Sequence, residues 1–474
     1  MIKNSRYWKS IRDFLSINDS RSYALVLAAL ASFLTPFVGS SITIALPEMA
    51  SQLSMNTFLL GWIPTAYLLV LTVLLVPLGR LSDIYGRKNI FRMGIILFTI
   101  SSFLAGFSPT GEVVLVLRII QGIGSAMIFA NVNAIVVSVF PVMERGKALG
   151  IAITGAYIGL FLGPVLGGIL TENLGWRSIF FFNVPLGILT VYAVSKLKEE
   201  WAEAAGEKFD IKGTLILAGC IIPLIIGLSQ LPDLFGMILI MVGLIMGIIF
   251  YKFESAEPSP LFDLKLFKNR AFSFNSLATL ISYTAGYPII FLLSLYLQYA
   301  LGFNPQSAGL ILAVQSLFIA FFASYAGRLS DEKNPRTIAG VGMVLIALGT
   351  LFLSLITQET SIWVIVILLA LIGVGFALFG TPNTNMVISS VKKEYYGVAS
   401  ASISTMRVMG QIMGMAMALL IMNLYIGTAN IGPTNMDSFI SSVKVSFILF
   451  AVMCAVALLF TWKGGSSLNL DKSD

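Results

Sequence analysis

From Ala24 to Pro47, and again from Thr57 to Leu78, the chain carries no charged side chain. Each run matches the roughly 20 residues that a helix needs to cross the hydrocarbon of a bilayer. Helices and closed barrels alone satisfy every backbone polar group there. Further runs of this kind bring the count to fourteen, the first near 23–47 and the last near 441–462. The expected fold is therefore all-α and integral to the membrane, with 14 transmembrane helices. Composition agrees: charged residues make up 11% of the chain, against roughly 25% in soluble proteins.

Charge orients the spans. Of 30 Lys and Arg, all but Arg118, Arg177, Arg407 and Lys444 fall in segments that would share one side with the N-terminus. That bias predicts a multi-pass protein of the cytoplasmic membrane with both termini cytoplasmic. Segment 1–22 has no continuous apolar run. It places Tyr7, Trp8, Ile11, Phe14 and Leu15 on one helical face, mostly opposite Arg6, Lys9 and Arg12. This suits an amphipathic interfacial helix, or simply a basic tail.

Several functions are excluded or disfavoured by what is missing. The chain has no His, so histidine-based catalysis, proton relay and metal ligation are out. Cys220 and Cys454 lie in apolar runs and read as core residues. No GxxxxGK[ST] sequence occurs, so ATP is not a direct driver. No catalytic residue, metal, cofactor or nucleic-acid partner is expected. A membrane enzyme would need convergent titratable groups, and a receptor would need a large outer domain.

A repeat fixes the organisation. The pentapeptide GRLSD occurs at Gly79–Asp83, after span 2, and at Gly327–Asp331, after span 10. A fainter echo links "MERGKALG" (Met143–Gly150) before span 5 with "KEYYGVAS" (Lys393–Ser400) before span 13. The two pairs are offset by 248 and 250 residues. Two six-helix bundles, 23–197 and 263–462, thus flank a central linker, 198–262, that holds extra spans 7 and 8. A cytoplasmic tail, 463–474, closes the chain. Parallel repeats predict a transporter with its substrate site between the halves.

The motifs carry a resemblance. "GRLSDIYGRKN" is similar to the loop motif of the major facilitator superfamily, with Gly79, Asp83, Gly86 and Arg87 as its matching residues. The resemblance implies that Asp83 meets the N-terminus of span 13 near Gly397, and that this contact forms and breaks as the halves rock. The second copy keeps Gly327, Arg328 and Asp331 but loses the Gly-Arg-Lys. Span 5 reads "GAYIGLFLGPVLGG", with Gly155, Gly159, Gly163 and Gly167 four residues apart and Pro164 beside them. It resembles the superfamily's antiporter motif, which implies export. Span 4, "RIIQGIGSAMIFANVN", matches the Arg-containing motif at Arg118, Gln121, Gly122 and Gly124. "GWIPTAYLL", "FDIKGTLIL" and "LQYALGFNPQSAGL" extend the resemblance to the fourteen-span drug:proton antiporters. That family implies exchange of small amphipathic substrates for protons or another coupling ion, and nothing in the sequence points to an oligomer, so a monomer is expected.

One departure stands against that chemistry. Relatives of that type carry an Asp in span 1 where this chain has Val38. No acid falls deep within a predicted span. Glu48 and Glu112 lie near the outer surface, and Asp83, Glu144 and Glu394 near the inner one. Coupling candidates are therefore Glu48, Glu112, Arg118 and Arg407, the last in "ISTMRVMGQIMG" of span 13. Candidates for the cavity wall are Tyr67, Gln121, Asn131, Tyr157, Tyr283, Gln298, Gln315, Asn383, Asn385 and Gln411. Each of these also suits a role in holding helices together. The expected activity is alternating-access export of small amphipathic compounds. An uncoupled facilitator, or an exporter of anionic metabolites or lipids, is the alternative on the same fold.

Overall fold

The computed structural model describes residues 20–257, 261, 264–392 and 395–464. The expected N-terminal interfacial helix, Lys393–Glu394 and nearly all of the tail lie outside the described residues. Fourteen helices long and apolar enough to cross a membrane are present. In chain order they are α1 (Ser20–Gln52), α2 (Thr57–Tyr85), α3 (Arg87–Ala105), α4 (Gly111–Val139), α5 (Val142–Leu174), α6 (Arg177–Ser195) and α7 (Ile211–Gln230). Then follow α8 (Leu234–Ala256), α9 (Arg270–Leu295), α10 (Pro305–Glu332), α11 (Pro335–Leu353), α12 (Ile362–Ser389), α13 (Tyr396–Ile426) and α14 (Met436–Gly464). A π-helical turn, Tyr296–Ala300, extends α9.

The boundaries have local causes. Asn56, Asn269 and Asn304 accept from backbone N–H groups of the first turns of α2, α9 and α10, which satisfies donors that a helix start leaves open. Pro305 and Pro335 occupy first helical positions, where the missing N–H costs nothing. Both copies of GRLSD are helical. Ser82 Oγ donates to Gly79 O at 2.6 Å, and Ser330 Oγ to Gly327 O at 2.7 Å. The first break after GRLSD comes at Gly86, whose φ of 107° is open to glycine at little cost.

Short connections reverse the chain at each step, so an even number of helices returns it to one side. We call this the termini end and the opposite side the far end. Helices α1–α6 pack among themselves, and α9–α14 repeat the scheme. The pairings α1·α5, α1·α6, α2·α4, α3·α4 and α3·α6 recur as α9·α13, α9·α14, α10·α12, α11·α12 and α11·α14. Glycine contacts recur with them. A Cβ on Gly94 or Gly124 would come within 2.9 and 2.7 Å of the other's carbonyl oxygen. Gly342 and Gly375 stand in the same relation at 2.6 and 2.9 Å. Backbones this close are how membrane helices gain packing energy without a hydrophobic driving force.

Helices α7 and α8 form a hairpin of their own. Only Gly236, Gly243 and Glu254 of α8 are buried. α7 touches both α2 and α13.

Candidate functional site

The two bundles meet at the far end. Ser294 Oγ of α9 donates to Thr43 O of α1 at 2.9 Å, and Gln298 Nε2 to Ile44 O at 3.0 Å. The Thr57 hydroxyl donates to Ala429 O. Leu419 of α13 fills the space above Gly61 of α2, Gly309 of α10 lies on the carbonyl of Pro164, and Gly168 lies on that of Pro305. The span-5 motif therefore does two jobs. Its glycine ladder rests on the α1 backbone at Ala29, Phe33 and Ser41, while Pro164 and Gly168 form the seam with α10.

At the termini end the bundles part. Among the described residues no hydrogen bond or ion pair joins them there. A Cβ on Gly146, Gly150 or Gly397 would meet nothing within 4 Å. Asp83 therefore does not touch the start of α13 in this state. Its carboxylate takes Arg87 at 2.8 Å instead.

Two arginines lie inside the helices, and their settings differ. Arg118 is 1% exposed. Its Nη1 donates to Gln121 Oε1 at 2.6 Å and its Nε to Ile63 O at 3.3 Å. The guanidinium lies 4.1 Å from the Tyr67 ring centroid. Gln121 continues to Ser102 and Tyr67 to Ser125. This cluster is sealed within the first bundle, so Tyr67 and Gln121 do not line an open path. One donor, Nη2, remains buried without a partner. Across the seam, the hydroxyl of Tyr287 of α9 lies beside Gly39 of α1, 3.8 Å from where a Cβ there would stand.

Arg407 is half-buried and faces the parting between the bundles. It lies eleven residues beyond Tyr396 in the 31-residue α13, or about 16 Å along it. Its Nη2 donates to Thr384 Oγ1 at 2.7 Å and its Nε is buried without a partner. Tyr283 of α9 presents its ring at 5.7 Å. Tyr157 of α5, in the other bundle, lies within electrostatic reach of both Arg407 and Tyr283. Gln411 follows one turn on.

The remaining candidates separate by contact. Asn383 donates to Asn275 O and Thr279 Oγ1 and ties α12 to α9. Gln298 belongs to the far-end seam. Asn131 is fully buried and donates to its own helix at Met127 O. Gln315 is buried beside Gly373. Asn385 donates to Ser330 and lines a pocket of about 360 Å³ with Asp331 and Tyr396. Glu48 pairs with Gln52 at the far end, and Glu112 is exposed in the first turn of α4. Val38 is fully buried.

One set of functional contacts was not expected from the sequence. The segment between α6 and α7 docks on the first loop motif. Glu203 takes Arg87 through both carboxylate oxygens at 2.8 and 2.9 Å. Glu207 pairs with Arg80, and Glu200 accepts from the Lys88 N–H at 2.8 Å. Backbone bonds run Arg87 N–H to Trp201 O and Ala204 N–H to Asp83 O, each 2.9 Å. The available signal was four Glu in "KLKEEWAEAAGEK", opposite in charge to the loop. Arg328 and Asp331 of the second copy form no ion pair among the described residues.

Two pseudo-repeated helical bundles, sealed at one end and parted at the other around a polar centre, define a membrane transporter. The chain belongs to the Major Facilitator Superfamily, whose family model matches residues 28–267 and 276–467. It is 30% identical to the cephamycin export protein CmcT of Amycolatopsis lactamdurans, over 94% of this chain and 93% of that one. It is 27% identical to the riboflavin transporter RibZ of Clostridioides difficile, over 92% and 96%. A multidrug resistance protein, Stp, of Mycobacterium tuberculosis is 28% identical over 84% of this chain and 75% of that one. Among solved structures, a bacterial homolog to the human lysosomal transporter Spinster matches in fold. Its TM-score is 0.66 at 18% identity, covering 94% of this chain and 97% of that one.

Proposed function

We propose that the protein exports small amphipathic compounds across the cytoplasmic membrane by alternating access, as a monomer driven by an ion gradient. With both termini cytoplasmic, as the basic loops favour, the state described is inward-facing. The observation that carries the reading is the span-5 motif at the closed seam. Pro164 and Gly168 lie where the bundles must part for release, so the exporter motif sits on the moving joint. Relatives named for cephamycin export and multidrug resistance support the direction.

In this reading Asp83 is a gating residue. When the termini end closes, its carboxylate exchanges Arg87 for the start of α13, where an anion near a helix N-terminus gains about 0.3–1 kcal/mol. Glu48 and Glu112 are the carboxylates left to carry a proton from the outer side. A second reading, an uncoupled facilitator, is favoured by one observation. Every Asp or Glu in a described helix lies within five residues of one of its ends.

The test uses purified protein in liposomes with an interior pH dye. Under an imposed proton gradient, a transported compound should raise the proton leak, and Glu48→Gln or Glu112→Gln should abolish that coupling. Labelled compound crossing with no proton signal would establish the facilitator.

A further inference from the structure

We infer that Arg407 is the anchor of a binding site for aromatic or amphipathic organic anions, with Tyr283 and Tyr157 as its walls. The inference rests on the transporter reading above and assigns the charge of what is carried.

The first argument is access. Among the described residues three cations lie more than five residues from a helix end, Arg118, Arg407 and Lys444, and Arg407 is the deepest of them. Arg118 is 1% exposed, with two acceptors and a ring about it, and its one unpartnered donor is closed off from solvent. Arg407 is on a polar stripe, Ser400, Ser404, Arg407 and Gln411, whose spacing of four, three and four keeps it on one face of α13. Ser400 is exposed, and the other three are half-exposed. The stripe rises from the open termini end, where Gly397 has free space beside it.

The second argument is charge balance. A guanidinium at depth in a bilayer is costly even on the mildest scales, and such groups ordinarily pair. Arg407 has one neutral acceptor, Thr384, and an aromatic face, and its Nε points at no acceptor. No acid lies at its depth in any described helix. The protein thus supplies the cation and leaves the counter-charge to whatever enters. A planar fork of N–H donors matches a carboxylate, sulfonate or phosphate. A lipophilic cation would meet only repulsion there.

The third argument is the division of the site between bundles. Thr384, Tyr283 and Arg407 belong to the second bundle, and Tyr157 to the first. The tyrosines offer π-faces and hydroxyls to a ring system, and Gln411 offers an amide. An anion held by Arg407 and Tyr283 on the second bundle would feel the first bundle through Tyr157, and a ligand that interacts differently with the two bodies in two states can bias one over the other.

Three dyes on one xanthene scaffold decide it: anionic carboxyfluorescein, a neutral ester of the same ring, and a cationic rhodamine. Full-length protein in liposomes should move the anion at least tenfold faster than the cation. Arg407→Gln should lower anion transport and binding tenfold or more, Arg407→Lys by only a few fold, and Arg407→Glu should reverse the preference toward the rhodamine. Thermal unfolding of each variant separates lost binding from lost fold, and the wild-type preference needs no variant. Rhodamine moved as well as carboxyfluorescein, or anion preference intact in Arg407→Gln, overturns the anion site and leaves the transporter standing. Movement of none of the three overturns both.

Discussion

Arg87 and Glu203 are 116 residues apart in sequence and joined by two hydrogen bonds, at 2.8 and 2.9 Å. Asp83 completes the arrangement from the other side of the same guanidinium. The loop motif at the termini end is thus neutralised by a segment belonging to neither bundle. Glu203 is 68% exposed, so the pair contributes under about 1 kcal/mol to stability, and its importance lies in position. Glu203→Gln should leave thermal unfolding within a degree or two, while hydrogen exchange at residues 197–207 rises several-fold. Unchanged exchange there would mean that the backbone bonds alone hold the segment.

Asp83→Asn removes both the Arg87 pair and the charge that is to meet α13. We expect the termini end to stay open for longer, with turnover falling tenfold or more and substrate affinity from that side nearly unchanged. Labelling of Gly397→Cys by a membrane-impermeant maleimide, in inside-out vesicles, reads the open state directly. Faster turnover, or slower labelling, would contradict the gating role.

The far-end seam makes the opposite prediction. Gly309→Ala puts a methyl group into the Pro164 carbonyl, and overpacking of this kind costs about 1–3 kcal/mol. That cost falls on the closed seam alone, so the ratio of far-closed to far-open molecules should drop by one to two decades. Pulsed electron–electron resonance between spin labels on Leu174 and Gly302 would report the wider far end as a longer distance. An unchanged distance with lost stability would show that the whole bundle strains instead.

Arg118→Lys should not rescue Arg118→Ala. Gln121, Ile63 O and the Tyr67 face lie in three directions around a planar group, and an ammonium cannot serve all three. Both variants should unfold several degrees below wild type in detergent. Full rescue by Lys would reduce the cluster to a requirement for positive charge.

Much of the architecture is written in local pattern. Apolar run length sets the spans, and two copies of five residues give away the repeat. The glycine ladder of α5 marks a close helix contact before its partner is known. Relations between distant segments are not local, and they escaped. Glu203 reads as an ordinary surface acid until Arg87 is beside it. Arg118 and Arg407 look alike in sequence, each a lone cation in an apolar helix, because exposure depends on which neighbours close over them. Asn383 and Gln298 read as cavity polar groups, yet their amides have backbone acceptors on facing helices. Glu254, two residues from the end of α8, reads as a surface acid and is 2% exposed.

The α7–α8 hairpin gives this chain a cycle that a twelve-helix relative would lack. α7 lies against α2 of one bundle and α13 of the other, and Asn423 of α13 donates to Leu231 O at its far end. If the far end opens as proposed, the hairpin cannot keep both of these contacts unchanged. Helix surface that faced protein then faces acyl chains, and the reverse, once in every turnover. On the alternating-access reading proposed above, the equilibrium between states would then respond to bilayer thickness and lateral pressure through a pair of helices outside the two bundles.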